Sequence, residues 1–313
     1  MAVIAYLIGI ISGGAATVQA SFNSEIRSRF RSPYITSAIN FIVALSIVLI
    51  LILITEHGLS IPVREIASHP FWIWTGGVCG VVIVMTGILC LPVLGSARNI
   101  MILCFGQIMA GLLIDHYGLF EAPVTHMTWM RAGGALLEII GIILISLEKS
   151  GQKEGGVNIR VLMFILLDLF TGFVAAMQVA VNGTMAVVTG SAKKATLISM
   201  SGALITVTLV VILLILLRGK WAMFDGNRPP ERIRFTPFML TGGLGALVVV
   251  GGNAFTGPVL GTGMVTMMNL FGMMAASLAV DATGFLGIEK KPVTVRKMGG
   301  MLLMLAGTAM ISF

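Results

Sequence analysis

Apolar residues fall in ten blocks along the chain, at roughly 3–22, 34–54, 72–91, 98–117, 127–147, 161–181, 195–217, 237–257, 262–281 and 297–313. A helix that crosses a bilayer needs about 20 mainly apolar residues, so each block predicts a membrane span. Nine or eleven spans is the competing count, because the breaks at 91–98 and 257–262 are tight. The longest polar interruptions are 55–71, 148–160 and 218–236. The middle one, EKSGQKEGGVNIR, is polar and glycine-rich, as a linker between two halves should be.

Composition agrees with that pattern. Of 313 residues, 57% are hydrophobic and 11% charged, and the mean hydropathy is +1.01. A soluble domain carries about 25% charged residues, so the solvent for this surface is lipid. The opening MAVIAYLIGI lacks the basic start of a secretory signal and reads as a retained span. Cys79, Cys90 and Cys104 lie in apolar blocks without metal-ligand spacing, and are expected as free thiols.

The chain repeats itself. Gln19 and Asn23 share one helix face, and so do Gln178 and Asn182, 159 residues later, with Gly13 matched by Gly172. After the second block the offset becomes 166, absorbed by the longer 218–236 interruption. PVLG at 92–95 then falls on PVLG at 258–261, Gly76–Gly77 on Gly242–Gly243, and Gly106 on Gly272. Asp115 falls on Asp281, Arg131 on Lys297, and Gly133–Gly134 on Gly299–Gly300. The expected organisation is a first five-helix repeat over 1–148, a linker at 149–160, and a second repeat over 161–313.

Five spans is an odd number, so the second repeat enters the membrane from the opposite side. The charges agree. If the ten spans alternate, sixteen Lys and Arg residues fall on one side and four (Arg64, Arg131, Lys193, Lys194) on the other. The positive-inside rule makes the rich side cytoplasmic and puts both termini outside. The expected fold is therefore all-α, with ten transmembrane helices as two inverted five-helix repeats.

The Q-x-x-x-N pattern closing the first block, then GG, then P-x-L-G, then GQIMAGLLIDHYGLF (106–120), resembles the YdcZ-like inner-membrane proteins. These belong to the drug/metabolite transporter superfamily. The resemblance runs over essentially the whole chain, once per repeat, and is closest in residues 1–148. It implies a fused two-repeat form, a ten-helix fold and an export role in a bacterial cytoplasmic membrane, without a substrate. The second half departs from the pattern: Met273 stands for Gln107, and AVDATG for LIDHYG.

Ionisable residues inside an apolar block are costly and point to function. Two stand out. Asp168, in LMFILLDLFTG, has Gly9 as its counterpart, and Glu138, in ALLEIIGI, has Met304. The superfamily resemblance implies that the first helix of each repeat lines the cavity and the fifth lies nearer the periphery. Asp168 is thus the leading proton or substrate residue, with a carboxyl capped by a neighbouring Ser, Thr or Asn as the alternative. Glu138 comes second, and a structural or lipid-facing place suits it better. Gln19, Asn23, Gln178, Asn182, Gln107 and Asn269, with Asn40, Asn99 and Asn253, form a neutral polar set for substrate binding or for bonding between helices. Inversion puts the two Gln/Asn pairs near opposite faces, as paired gates or paired clamps.

Asp115 and Asp281 each precede a base by sixteen residues, Arg131 and Lys297, and predict two structural ion pairs. His57, His69, His116 and His126 are assigned to outer loops, and no metal or cofactor is expected. With no GxxxxGK[ST] motif and no nucleophile–base spacing, neither ATP hydrolysis nor enzymatic chemistry is indicated. The expected function is a secondary transporter using alternating access, with proton coupling as an option; a passive small-solute channel is the alternative. Its partners are a small molecule, the bilayer and protons rather than nucleic acid, with a monomer and a homodimer both open.

Overall fold

A computed structural model describes residues 2–56, 59–94, 96–146, 159–230, 237, 240–283 and 294–311. Among them run ten helices of 17 residues or more: α1 (Ala2–Phe30), α2 (Pro33–Thr55), α3 (Gly76–Leu94), α4 (Ser96–Tyr117), α5 (Trp129–Ser146), α6 (Ile159–Thr189), α7 (Ala192–Arg218), α8 (Leu240–Leu260), α9 (Thr262–Thr283) and α10 (Val295–Ile311). A short helix, Val63–Ser68, sits between α2 and α3. The described residues contain no strand. Helices satisfy every backbone group internally, which is what a lipid solvent demands.

Seven of the ten, α1, α2, α4 and α6 to α9, are long and apolar enough to cross a membrane. The other three fall short among the described residues. α5 has 18 residues and contains Arg131 and Glu138, and α10 has 17 and contains Arg296 and Lys297. Several helices outrun the apolar blocks that predicted them. α6, expected over 161–181, continues to Thr189 because a second polar-tolerant stretch, VNGTMAVVT, is buried against neighbouring helices rather than released to water. Most of the expected 149–160 linker, like the 284–293 segment, lies outside the described residues.

Local chemistry sets the helix ends. Ser32 Oγ accepts from Ile35 N at 3.3 Å and Pro33 follows at the first helical position, so α2 starts there. Ser191, 159 residues later, caps α7 through Lys194 N at 3.4 Å. The residue before each cap has positive φ: Gly190 at 65°, and Arg31 at 49°, where a side chain makes that conformation costly. Each turn is also held by an acid from a distant loop. Asp225, after α7, pairs with Arg27 at 3.1 Å, while Glu56, after α2, accepts from Ser191 Oγ at 2.7 Å and pairs with Lys193 and Lys194.

The helices pack across the two halves. α1 lies on α8 and α9, α6 on α3 and α4, and α2 on α7 and α8, with α3 on α7; α5 runs along α10. Glycines set the closest crossings. A Cβ on Gly106 or Gly172 would run into the backbone where α4 meets α6, and one on Gly13 or Gly272 would do so where α1 meets α9. At the α5–α10 crossing, Gly134 abuts Gly307, and Gly141 abuts Gly300. Close backbone approach of this kind is how helices associate where burial from water supplies no driving force.

Candidate functional site

Asp168 stands one turn before the Gly172 crossing, which draws α6 tightly onto α4 and turns its carboxylate inward. It is 1% exposed, and neither carboxylate oxygen has a hydrogen-bond partner among the described residues. Two thiols lie within its electrostatic reach: Cys90 on α3, which donates to Phe164 O at 3.7 Å, and Cys104 on α4. The cap by a neighbouring Ser, Thr or Asn is not found. All three cysteines are free and buried.

Asp168 lines neither of two cavities in the structure. One, of about 110 Å³, lies between the ends of α6 and α8, the start of α9 and the 121–123 loop. The other, of about 360 Å³, lies between α4, α5 and α6 and is wholly apolar in its side chains. In this conformation the carboxylate is sealed.

The neutral polar residues do not converge on one pocket. They form two matched joints. In one, Asn40 Nδ2 of α2 donates to Asn23 Oδ1 of α1 at 2.7 Å, and Gly242 of α8 packs on both. In the other, Asn182 of α6 and Ser199 of α7 meet over Gly76 of α3. Glycine is needed at each place, because a Cβ would strike the amide oxygen. Gln178 Nε2 donates to Gly76 O at 2.9 Å, and Gln19 packs on Gly245. Asn269 Nδ2 donates to Asn253 Oδ1 at 2.8 Å, linking α9 to α8. Gln107 is half-buried on α4 beside Gly172, and Asn99 is buried near the start of the same helix.

Glu138 does not face lipid. It is 0% exposed at the α5–α10 crossing, where Thr308 Oγ1 donates to Oε1 and Oε2 has no partner among the described residues. Gly307 provides the room for it.

Asp115, 0% exposed, does more than pair with Arg131, whose Nη2 lies 3.2 Å from Oδ2. Oδ1 accepts from Thr262 N at 2.7 Å and Oδ2 from Gly263 N at 2.9 Å, so this carboxylate of α4 caps the first turn of α9. A carboxylate at a helix N-terminus satisfies free N–H groups and meets the positive end of the dipole. Arg131 is anchored by Thr125 O at 2.7 Å. The cap was missed in the sequence, although the Pro258–Gly261 break announced a helix start needing one. The side chain of Asp281 lies outside the described residues; Lys297 is buried.

Of the histidines, His116 belongs to the last turn of α4 rather than to a loop, since α4 runs through the DHY segment. Its Nδ1 accepts from Met127 N at 3.0 Å. His69 pairs with Glu121 at 3.1 Å; His57 lies outside the described residues. Among the described residues no group of three or more His, Cys, Asp or Glu is placed to hold a metal.

No curated protein matches the chain in sequence. A solved structure described only as "Crystal structure of protein" superposes with a TM-score of 0.69 over 98% of this chain and 94% of its own, at 13% identity. The two share a fold. The family described as "Putative inner membrane exporter, YdcZ" matches residues 4–144 and again 163–310, so nearly the whole length is covered, once in each half. The chain belongs to that YdcZ inner-membrane exporter family, as a multi-pass helical membrane protein.

Proposed function

We propose that the protein is a secondary transporter that exports a small molecule by alternating access between two inverted five-helix repeats. In this reading all ten long helices cross the membrane, both termini face away from the cytoplasm, and Asp168 is where a proton or a substrate cation is held. The observation that carries it is the reciprocity of the packing. Each joint takes an Asn from the first helix of one half, a polar residue from its second, and a glycine from the third helix of the other half. The family match to each half separately supports the same reading. Two equivalent joints let the halves exchange conformations, so that access alternates between the faces.

A carboxylate without a partner inside a membrane protein is expensive as an anion, and a proton or a cation neutralises it. Competition between the two is sufficient for antiport. Gln107, Asn269 and the amides of the joints supply neutral hydrogen-bonding groups for the rest of a substrate. With one carboxylate and no twin at Gly9, a small neutral, zwitterionic or singly charged compound suits the site better than a polyanion.

A thermal-shift screen of metabolites and lipophilic cations identifies the ligand, and counterflow in proteoliposomes then tests the mechanism. Saturable counterflow is expected; flux strictly linear in concentration indicates a passive channel instead. Asp168→Asn should abolish the proton-linked component while leaving expression and folding intact, and unchanged proton coupling would end the role of Asp168. C-terminal fusions test orientation separately: alkaline phosphatase is expected to be active, and green fluorescent protein dark.

A further inference from the structure

The 360 Å³ cavity is a crevice walled by Met101, Ile102 and Phe105 of α4, Ile139, Ile142 and Ile143 of α5, and Ile165 and Leu169 of α6. Phe105 and Ile143 are exposed at its rim, so it opens sideways towards the bilayer. It has room for on the order of a dozen groups of the size of a water molecule. Water finds no polar side chain to bond there, whereas hydrocarbon meets apolar side chains on every wall.

The crevice lies towards one end of the three helices, the start of α4 and α6 and the end of α5. That end is basic. Arg160 is exposed at the start of α6, five residues and about 7.5 Å of helix before Ile165. Arg98 precedes Met101, Ile102 and Phe105 by three, four and seven residues in α4, which by register is one helix face. An apolar slot beside the exposed Arg160, with Arg98 at the matching end of α4 in the sequence, matches an acyl chain under an anionic headgroup, and basic pockets between membrane helices recruit such lipids.

The corresponding position in the other half carries a bulkier residue, Tyr6 in place of Ile165. Ile165 and Leu169 have Tyr6 and Ile10 as counterparts, and Met101 and Ile102 have Met267 and Met268. Tyr6 and Ile10 pack against a buried cluster that holds Met267 and Met268 and that also takes in Met101, Ile139 and Ile142 of the crevice wall.

We propose that the crevice between α4, α5 and α6 binds an anionic phospholipid, its acyl chain in the slot and its phosphate at the arginine-bearing ends of α4 and α6. This rests on membrane insertion and not on the transport reading.

Native mass spectrometry of the purified full chain, titrated with phosphatidylglycerol or phosphatidylcholine of identical acyl chains, tests it. Retention of phosphatidylglycerol about tenfold stronger is expected, with two cationic contacts supplying the preference. R98Q/R160Q should remove the preference. Ile165→Tyr, which installs the residue found at the matching position of the other half and narrows the slot, should remove binding of both lipids without changing the size-exclusion profile. Ile143→Trp fills the slot from the opposite wall and serves where the first variant does not fold. Equal retention of the two lipids, a preference that survives in R98Q/R160Q, or binding that survives both filled variants would overturn the site. Retention of tetraphenylphosphonium without any phospholipid, or a dimer mass in place of bound lipid, would assign the crevice to another occupant.

Discussion

The joint at Asn23 and the joint at Asn182 use the same plan with different closure. In the first, two amides bond directly, Asn40 Nδ2 to Asn23 Oδ1 at 2.7 Å. In the second, Ser199 replaces the second amide, and both its hydroxyl and Asn182 Nδ2 are buried without a partner among the described residues. An unmet buried polar group costs about 1–3 kcal/mol. The helices around the joints differ in the same sense. α6 packs on α8 where Gly183 meets Gly257 and Pro258, while α1 and α3 make no comparable contact among the described residues. The two joints thus share one plan and differ in closure: an amide–amide bond in one, with Asn40 Oδ1 itself left without a partner among the described residues, and no such bond described in the other.

Four experiments can break or sharpen this comparison. The largest effect is expected at the crossings the halves share. Gly13→Leu and Gly172→Leu each push a side chain into a partner backbone, and overpacking there should exceed about 3 kcal/mol and abolish monodisperse protein in fluorescence-detected size exclusion. Tolerance of one but not the other would show that the two crossings are not equivalent.

Next comes the buried cap. Asp115→Ala leaves Arg131 buried and the first turn of α9 uncapped, and should lower thermal stability by about 3–5 kcal/mol. Arg131→Met should do the same from the other side. A similar loss in Lys297→Met would extend the arrangement to the second half, and no loss would confine it to the first.

The joints themselves can be exchanged. Asn40→Ser should cost roughly 0.6–2 kcal/mol by removing the amide bond, and Ser199→Asn should recover part of that in the double variant by giving Asn182 a partner. Transport measured in the swapped protein, with its preferred conformation reversed, would tie the joints to gating. Unaltered transport would leave them as clamps.

The smallest effect lies at the turn beyond α2. The Ser191 hydroxyl first, then Lys193 and Lys194, hold the Glu56 carboxyl below its ordinary value of 4.5. Because the folded value is depressed, the stabilisation is present above about pH 4.5 and is lost as pH falls through the folded value. Glu56→Gln should therefore melt slightly lower than the parent at neutral pH, by no more than about 1 kcal/mol, and equal to it in acid. A difference that grows on acidification would reverse the assignment.

Much of this was legible in the residues. The ten apolar blocks correspond to ten long helices, and the 159-residue offset carries Gln19, Asn23 and Ser32 onto Gln178, Asn182 and Ser191. Those signals survive in one dimension because span length and duplication are properties of the chain. Which face a residue shows is another matter. In water an apolar stripe marks the core, but in lipid both the core-facing and the lipid-facing sides of a helix are apolar, so periodicity does not tell them apart. Glu138 could be read as lipid-facing until the α5–α10 crossing enclosed it, and Asp115 as a hairpin staple until the first turn of α9 arrived above it. The crevice between α4, α5 and α6 has the same origin: its wall residues are apolar like any others in their blocks, and only packing leaves a space between them. The chain by itself marked the apolar blocks that became the ten long helices described, and the positions that correspond between them. The glycine crossings, by setting how closely each pair approaches, decided what those helices enclose.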